Sequence, residues 1–427
     1  MIALSPIILF FLIYVGGSIL LNDFYALPIS IAFLASTLYA IFLYCRRDKL
    51  EDRINVFLKG AGQSNIMYMV LIFIMAGAFA NLAKSMGSID AIANLTLAYL
   101  PTSMILPGCF LAASIISMGI GTSVGTIAAL APLAAGVAAQ TGGNTALFIG
   151  CVVGGAFFGD NLSFISDTTI VATRSLGITM MDKFKANFRI ALPAAIITII
   201  IYIFVGSNIE TSQDFKSPNF LLVLPYLVVL LTSIFRVNVI LVLAIGIVLS
   251  IAIALGYGHT PMPDILGAMN GGIMNMGELI VVSMLAGGLI ELVRKDGGVD
   301  ILMKAIRSRV HNRCGAELSM SLMVMLADFC TANNTIAILI TGNLSKEISD
   351  EYNVPAPHTA SLLGIWSCVA QSIIPYGAQL LLAAGMVSIS PVKIIPYLFY
   401  PFVLAIVTLF FTFFLSKAKK PKQEIAK

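Results

Sequence analysis

The chain has 427 residues, 59% hydrophobic and only 11% charged, with a net charge of +4. Apolar stretches of roughly 17 to 25 residues, long enough to span a bilayer, recur from end to end. Length alone would suggest two or three soluble domains, but no polar stretch is long enough to form one. The mild positive charge, confined to short loops, gives no argument for nucleic acid.

Taken in chain order, hydropathy predicts helices over 5–21, 24–45 and 63–84, then a pair over 103–118 and 126–140. A long segment over 145–174, interrupted by polar residues, and a helix over 190–206 complete a first half of about 1–210. The second half, about 215–417, repeats the plan: 219–235, 237–257, 274–294, the pair 316–328 and 335–345, the interrupted segment 356–387, and 392–416, with a tail over 418–427. The first run has no basic n-region and no small-residue cleavage site, so it reads as a retained helix. Each paired element is too long for one crossing at about 1.5 Å per residue and carries small or polar residues at its middle. A re-entrant hairpin fits better.

The halves resemble one another in sequence. A shift of 210 lays Ala76-Gly77, Leu82, Lys84, Gly87 and Asp90 over Ala286-Gly287, Leu292, Arg294, Gly297 and Asp300. A shift of 209 lays Thr122 to Ala128 over Thr331 to Ala337 and puts Ser163 on Ser372. Such duplications are typical of secondary transporters. With the hairpins counted as no net crossing, five crossings remain per half, an odd number that forces the second half upside down. The expected fold is therefore an all-α polytopic membrane protein of two inverted-topology repeats, each with about five transmembrane helices, a re-entrant hairpin and a broken helix.

The loops Arg46-Arg47-Asp48-Lys49, 183–189, 294–313 and 417–422 all fall on one side of this topology. The bias of Lys and Arg makes that side cytoplasmic, with both termini. Segments 88–100 and 298–310 are amphipathic enough to lie along the interface, and the basic tail is attracted to anionic lipid. The six cysteines, Cys45, Cys109, Cys151, Cys314, Cys330 and Cys368, have no CxxC spacing, so neither disulfides nor zinc are expected.

Chemistry concentrates at four interruptions. Asp160-Asn161-Leu162-Ser163-Phe164-Ile165-Ser166-Asp167 places two carboxylates inside an otherwise apolar segment, and an intramembrane carboxylate is a functional-site hypothesis by default. Thr122, Ser123 and Thr126 lie at the first hairpin tip, and Asp328, Thr331, Asn333, Asn334 and Thr335 at the second. Gln371 and Ser372 lie in the second broken segment. The ion-binding set is Asp160, Asp167, Asn161, Ser163, Ser166 and Thr168, with sodium expected at Asp160 and Asp167. Hard oxygen donors of this kind suit a small cation. No Lys or Arg sits at any interruption, so an embedded carboxylate there holds either a cation or a proton, which is the physical core of cation/proton exchange. The bland readings are capping for the aspartates and helix packing for the hydroxyls. Glu278 and Glu291 read as interfacial, His259, His311 and His358 as loop or helix-end residues, and the glycine runs as close-packing sites.

Gly121-Thr122-Ser123-Val124-Gly125-Thr126, followed by Gly155-Ala156-Phe157-Phe158-Gly159-Asp160-Asn161-Leu162-Ser163-Phe164-Ile165-Ser166-Asp167-Thr168-Thr169, resembles the NhaC-type sodium/proton antiporter family in order and separation. The opening Asn22-Asp23-Phe24-Tyr25 and the helix count extend the likeness over the whole chain. Val124 and Phe164 stand where relatives often have a bulky aromatic and a proline. The resemblance implies a multi-pass antiporter of the cytoplasmic membrane, working by alternating access with Asp160, Ser163 and Asp167 near its ion site. Its expected partners are the bilayer and small inorganic cations, without a cofactor, and a homodimer is compatible with it. The alternative is a sodium- or proton-coupled carrier of a small organic acid or amino acid. No nucleophile and base set argues for an enzyme.

Overall fold

A computed structural model describes residues 4–17, 27–43, 49–99, 101–164, 166–207, 219–235, 237–257, 260–298, 303 and 310–415. The Asn22-Asp23-Phe24-Tyr25 motif, Cys45, loop 46–48, His259, most of 298–310 and the tail from 416 lie outside these residues. The described residues form helices and no strand. Nine of these helices are long and apolar enough to cross a membrane, and a tenth if Pro391–Tyr397 and Phe399–Phe413, bent by 53°, count as one span. The all-α polytopic expectation is borne out.

The first half runs through α1 (Ser5–Phe11), α2 (Ile29–Leu38), α3 (Leu50–Ala61), α4 (Ser64–Ser85) and α5 (Ser88–Tyr99). It continues with α6 (Thr102–Ile120), α7 (Ser123–Gln140), α8 (Thr145–Leu162), α9 (Asp167–Leu176) and α10 (Met180–Gly206). The second runs through α11 (Phe220–Ile234), α12 (Val239–Gly256), α13 (Met262–Asn275), α14 (Gly277–Lys295) and α15 (Arg313–Thr331). It ends with α16 (Asn334–Glu351), α17 (Ala356–Ile373), α18 (Ala378–Val387), α19 (Pro391–Ile394) and α20 (Phe399–Phe410).

Three features depart from the hydropathy reading. Helices α3 and α13 occupy stretches read as loops. Glu51, Asp52, Arg53 and Lys59 depress the apolar signal of the first, and three glycines lower the helix propensity of the second. Helix α10 starts at Met180 rather than 190, because Asp182, Lys183, Lys185 and Arg189 mask its first turns.

From the hairpins through the broken segments the halves match element by element. Helices α6 and α15, α7 and α16, α8 and α17, and α9 and α18 each begin and end 211 residues apart. The hairpin corners agree: Gly121 and Ala332 take the left-handed conformation (φ 78° and 47°), and Thr122 and Asn333 follow extended (φ −146° and −150°). The residue-matching shift of 209 at this point is therefore two short. Thr122 corresponds to Asn333 rather than Thr331, and Ser163 to Ile374 rather than Ser372. In the left-handed position the glycine is unstrained, whereas an alanine costs about 1 kcal/mol.

The halves lock together through glycines. Helix α3 packs on α14, and α13 packs on α4. A Cβ at Gly60 would collide with the Gly287 carbonyl, and one at Gly272 with the Gly77 carbonyl, so these backbones touch. This is the small-residue packing by which membrane helices approach closely. Leu12, Ile115, Phe204, Val248 and Ile406 face outward, as a lipid-covered surface allows. Every residue of α8 from Ala146 to Leu162 is buried, as is every residue of α17 from Thr359 to Ser372. The two broken segments thus run through the centre of the molecule. Gly155 and Gly159 let α8 lie directly on the α6 backbone at Phe110 and Ser114.

Candidate functional site

Four interruptions meet at one cavity of about 140 Å³. The hairpin tips contribute Ser123 and Asn334, and the broken segments contribute Asp160, Asp167, Gln371 and Gln379. The N-termini of α7, α9, α16 and α18 all open onto it, while α6, α8, α15 and α17 end beside it. Each interruption therefore offers a helix end of each sign.

Asp160 sits in the last turn of α8 and is 5% exposed. Its Oδ1 accepts from Ser166 Oγ at 2.6 Å and its Oδ2 from Ser123 Oγ at 3.2 Å. Ser166 also shares a hydrogen bond with Thr168 Oγ1 at 2.8 Å. Asp167 opens α9 and is exposed to the cavity, so the two carboxylates sit differently: one enclosed, one reachable.

The bonding continues across the halves. Gln379 Nε2 donates to Ser123 Oγ at 3.0 Å, and Gln371 Nε2 donates to Gln379 Oε1 at 2.9 Å and to Ala332 O at 3.1 Å. One chain of bonds thus joins Asp160 to the second hairpin tip. By the 211-residue register Gln371 stands where the first half has Asp160, and Gln379 where it has Thr168.

Of the residues expected at the site, Asp160, Ser166, Asp167, Thr168, Thr122 and Ser123 line the cavity, as do Asn333, Asn334, Thr335 and Gln371. The others turn elsewhere. Asn161 faces α10, where Asn187 Nδ2 donates to its Oδ1 at 2.9 Å. Ser163 Oγ donates to Met118 O, Thr126 Oγ1 to Thr122 O, and Ser372 Oγ to Val369 O. Thr331 Oγ1 donates to Asn333 O and lines a neighbouring cavity. Asp328 lies buried behind the second tip. His358 pairs with the buried Glu317 at 3.2 Å, away from the cavity.

The sequence reading missed Lys183 and Gln379. Lys183, expected in a loop, is fully buried behind the first interruption. Its Nζ donates to Thr169 Oγ1 at 2.8 Å and approaches Asn161 O at 3.5 Å, stapling the end of α8 to the first turn of α9. Its charge acts on Asp160 from behind, and Gly364 leaves room for it. The available signal was the helical spacing of Lys183, Asn187, Ile190 and Ala194, one buried face of α10. Asn187 Nδ2 still donates to the Asn161 carbonyl at 2.9 Å, but stranding the buried Thr169 hydroxyl costs about 1–3 kcal/mol. Lys183→Met is therefore expected to lower the unfolding midpoint of the detergent-solubilised protein by several degrees. Fluorescence-detected gel filtration after heating checks this; an unchanged midpoint contradicts the staple.

Three cavities succeed one another along α4. A narrow one of about 40 Å³ lies beside Gln63, Ile66 and Met69 and is lined also by Glu291 and Arg294. The site follows at Tyr68, Met69 and Ile72. A wide one of about 500 Å³ lies beside Gly77, Asn81 and Lys84. From Gln63 to Lys84 the helix rises about 30 Å, the thickness of a bilayer core.

A family model described as the Na+/H+ antiporter family matches residues 4–207 and 215–415. The chain is 25% identical over 394 residues to the Na(+)/H(+) antiporter NhaC of Bacillus subtilis (strain 168), covering 82% of this chain and 84% of that one. It is 22% identical over 413 residues to the Malate-2H(+)/Na(+)-lactate antiporter of the same organism, covering 89% and 88%. To the Arginine/ornithine antiporter ArcD of Halobacterium salinarum it is 20% identical over 391 residues, covering 82% and 79%.

Proposed function

The chain belongs to the Na+/H+ antiporter family, and from that premise we propose that it exchanges sodium for protons, with Asp160 holding one ion or the other. The setting of Asp160 carries the reading. Its hydrogen-bond donors are two neutral hydroxyls, Ser123 and Ser166. It occupies the last turn of α8, where the helix dipole favours a cation by about 0.3–1 kcal/mol. Lys183 acts on it from behind without a hydrogen bond to it, and a buried carboxylate so placed gains from a further positive charge on its cavity side. Sodium and a proton each supply one, and occupancy by the first displaces the second. Asp167 adds a second carboxylate at the open side of the cavity, with Ser166 and Thr168 offering hydroxyl oxygens.

Movement follows from the duplication. The two halves, inverted relative to one another, rock about the cavity so that the site meets one side of the membrane at a time. The site shares Met69, Ala332, Asn333 and Ala378 with the narrow cavity at Glu291 and Arg294 and no lining residue with the wide one at Lys84, which fits access from the Arg294 side. The positive-inside bias makes the Arg294 side cytoplasmic, with both termini, in the cytoplasmic membrane.

A second reading has a specific observation in its favour. Four helix N-termini open onto a cavity of about 140 Å³, and helix N-termini favour anions. A small carboxylate exchanged together with sodium or protons would use them, and relatives named for malate, lactate and arginine fit such a role.

One experiment separates the readings. Protein reconstituted into vesicles with an internal pH-sensitive dye is given sodium, lithium, potassium and a panel of carboxylates in separate runs. Proton movement with sodium alone is the expected result. Movement only when an organic acid or amino acid is also present would replace cation exchange by metabolite exchange.

A further inference from the structure

The second half holds a carboxylate that the exchange site does not use. Asp328, in the last turn of α15, is fully buried, and neither of its oxygens accepts a hydrogen bond. The backbone N–H groups of Asn333 and Gln371 lie near it without closing a bond of good geometry. The ionisable groups around it are Cys330 on its own helix, Cys368 on α17 and Tyr376 between α17 and α18. None is a cation, and the Tyr376 hydroxyl donates to Phe329 O at 2.6 Å. Among the described residues no Lys, Arg or His pairs with Asp328.

An ionised carboxylate in this position would have no counter-ion and no well-formed hydrogen bond, only the nearby N–H groups of Asn333 and Gln371, and it would sit at the negative end of the α15 dipole, so it would be ionised only in passing. On Gln371, whose backbone N–H lies near Asp328, Oε1 is buried without a donor, while the same amide's Nε2 is spent on Gln379 and Ala332. Sodium does not fit, since it needs several oxygens around it and Asp328 lines none of the cavities described. A proton does.

The duplication supports a working role over an accident of packing. By the 211-residue register Asp328 matches Ser117, and Gln371 matches Asp160. At this pair of register positions each half therefore carries one carboxylate, Asp160 on the broken helix of the first and Asp328 on the hairpin of the second. In the first half Ser117 Oγ donates to Ala156 O at 2.6 Å. In the second, the Asp328 carboxylate has no such bond.

Resting on the exchange reading above, we propose that Asp328 is a second proton-carrying site, separate from Asp160, which adds a proton to each transport cycle. The proton leaves as H+ to water, leaving a carboxylate that the next proton neutralises. Thr331 and Ala332, one turn on, line the narrow cavity that leads past Gln63 to Glu291 and Arg294, and this is the exit. The Gln371 side chain bonds to Gln379 and so onward to Ser123 and Asp160, which ties the two sites together.

The test is the proton-to-sodium ratio, measured in vesicles from the membrane potential that just halts flux under fixed gradients. Asp328→Asn is expected to exchange with one proton fewer per sodium than the unaltered protein. An unchanged ratio in an active variant overturns the proposal. An infrared arm stands without any transport: the unaltered protein at neutral pH is expected to show a carboxylic acid C=O band that shifts in Asp328→Glu. A spectrum with no band that responds to this substitution overturns the proposal, even where Asp328→Asn does not fold. Loss of sodium-driven proton flux in the unaltered protein would instead overturn the exchange reading, leaving the infrared result to decide whether Asp328 holds a proton.

Discussion

Asp160→Asn is expected to reduce sodium-driven proton flux by about 100-fold or more while the protein still inserts and purifies as the unaltered chain does. The amide is nearly isosteric: one of Ser123 and Ser166 can still donate to its oxygen and the other can turn to accept from its Nδ2, so the local bonding at 3.2 and 2.6 Å has a replacement. What it cannot do is carry a charge or take up a proton. Removing the enclosed one of the two carboxylates that face a bound ion in a low-dielectric site costs roughly 3 kcal/mol, about two decades in affinity. Flux in vesicles and elution on gel filtration, measured on the same preparation, separate loss of chemistry from loss of fold. Full flux in Asp160→Asn would remove the residue from the mechanism.

Gly159→Val is expected to prevent assembly. A Cβ at Gly159 would overlap the Ser114 carbonyl and crowd Met118 N and Ser117 Cβ, all on α6. Two of these are backbone atoms, which cannot rotate aside, so α8 would have to lift from its partner. Overpacking costs typically 1–3 kcal/mol, and a clash with backbone inside a fully buried helix falls at about 3 kcal/mol or more. The displaced residue next in line is Asp160, so surviving protein would also lose the site. The control is Gly267→Ala on α13, where an added Cβ meets nothing within 4 Å; its effect should stay within about 0.5 kcal/mol. Comparable yield and thermal midpoint for the two variants would contradict the packing described for α6 and α8.

Much of this architecture was legible in sequence, for identifiable reasons. Apolar length located α4, α6, α7 and α12 to within a few residues, and the polar interruption at 160–167 exposed the break because carboxylates are rare at that depth. Hydropathy failed where helices were not apolar. The charges of α3 and the first turns of α10 read as loops, although both are helical. Lys183 was hidden by that error, since a lysine in a charged stretch looks solvated until the helical face it shares with Asn187 is drawn. Gln379 was hidden by the two-residue slip in register, which set Thr122 on Thr331 by identity of type where backbone conformation sets it on Asn333. Matching residues finds chemistry that was kept; the shared turn of the chain keeps its place after the chemistry has changed, as Asp160 and Gln371 show.

Sodium and a proton are expected to compete for Asp160. The direct measurement is the apparent sodium affinity of the purified protein as a function of pH. Competition predicts that in the acidic range each unit fall in pH raises the apparent Kd about tenfold, and that Asp160→Asn removes this dependence along with most of the binding. A sodium affinity that is flat across the same range, or that keeps its slope in Asp160→Asn, would contradict it.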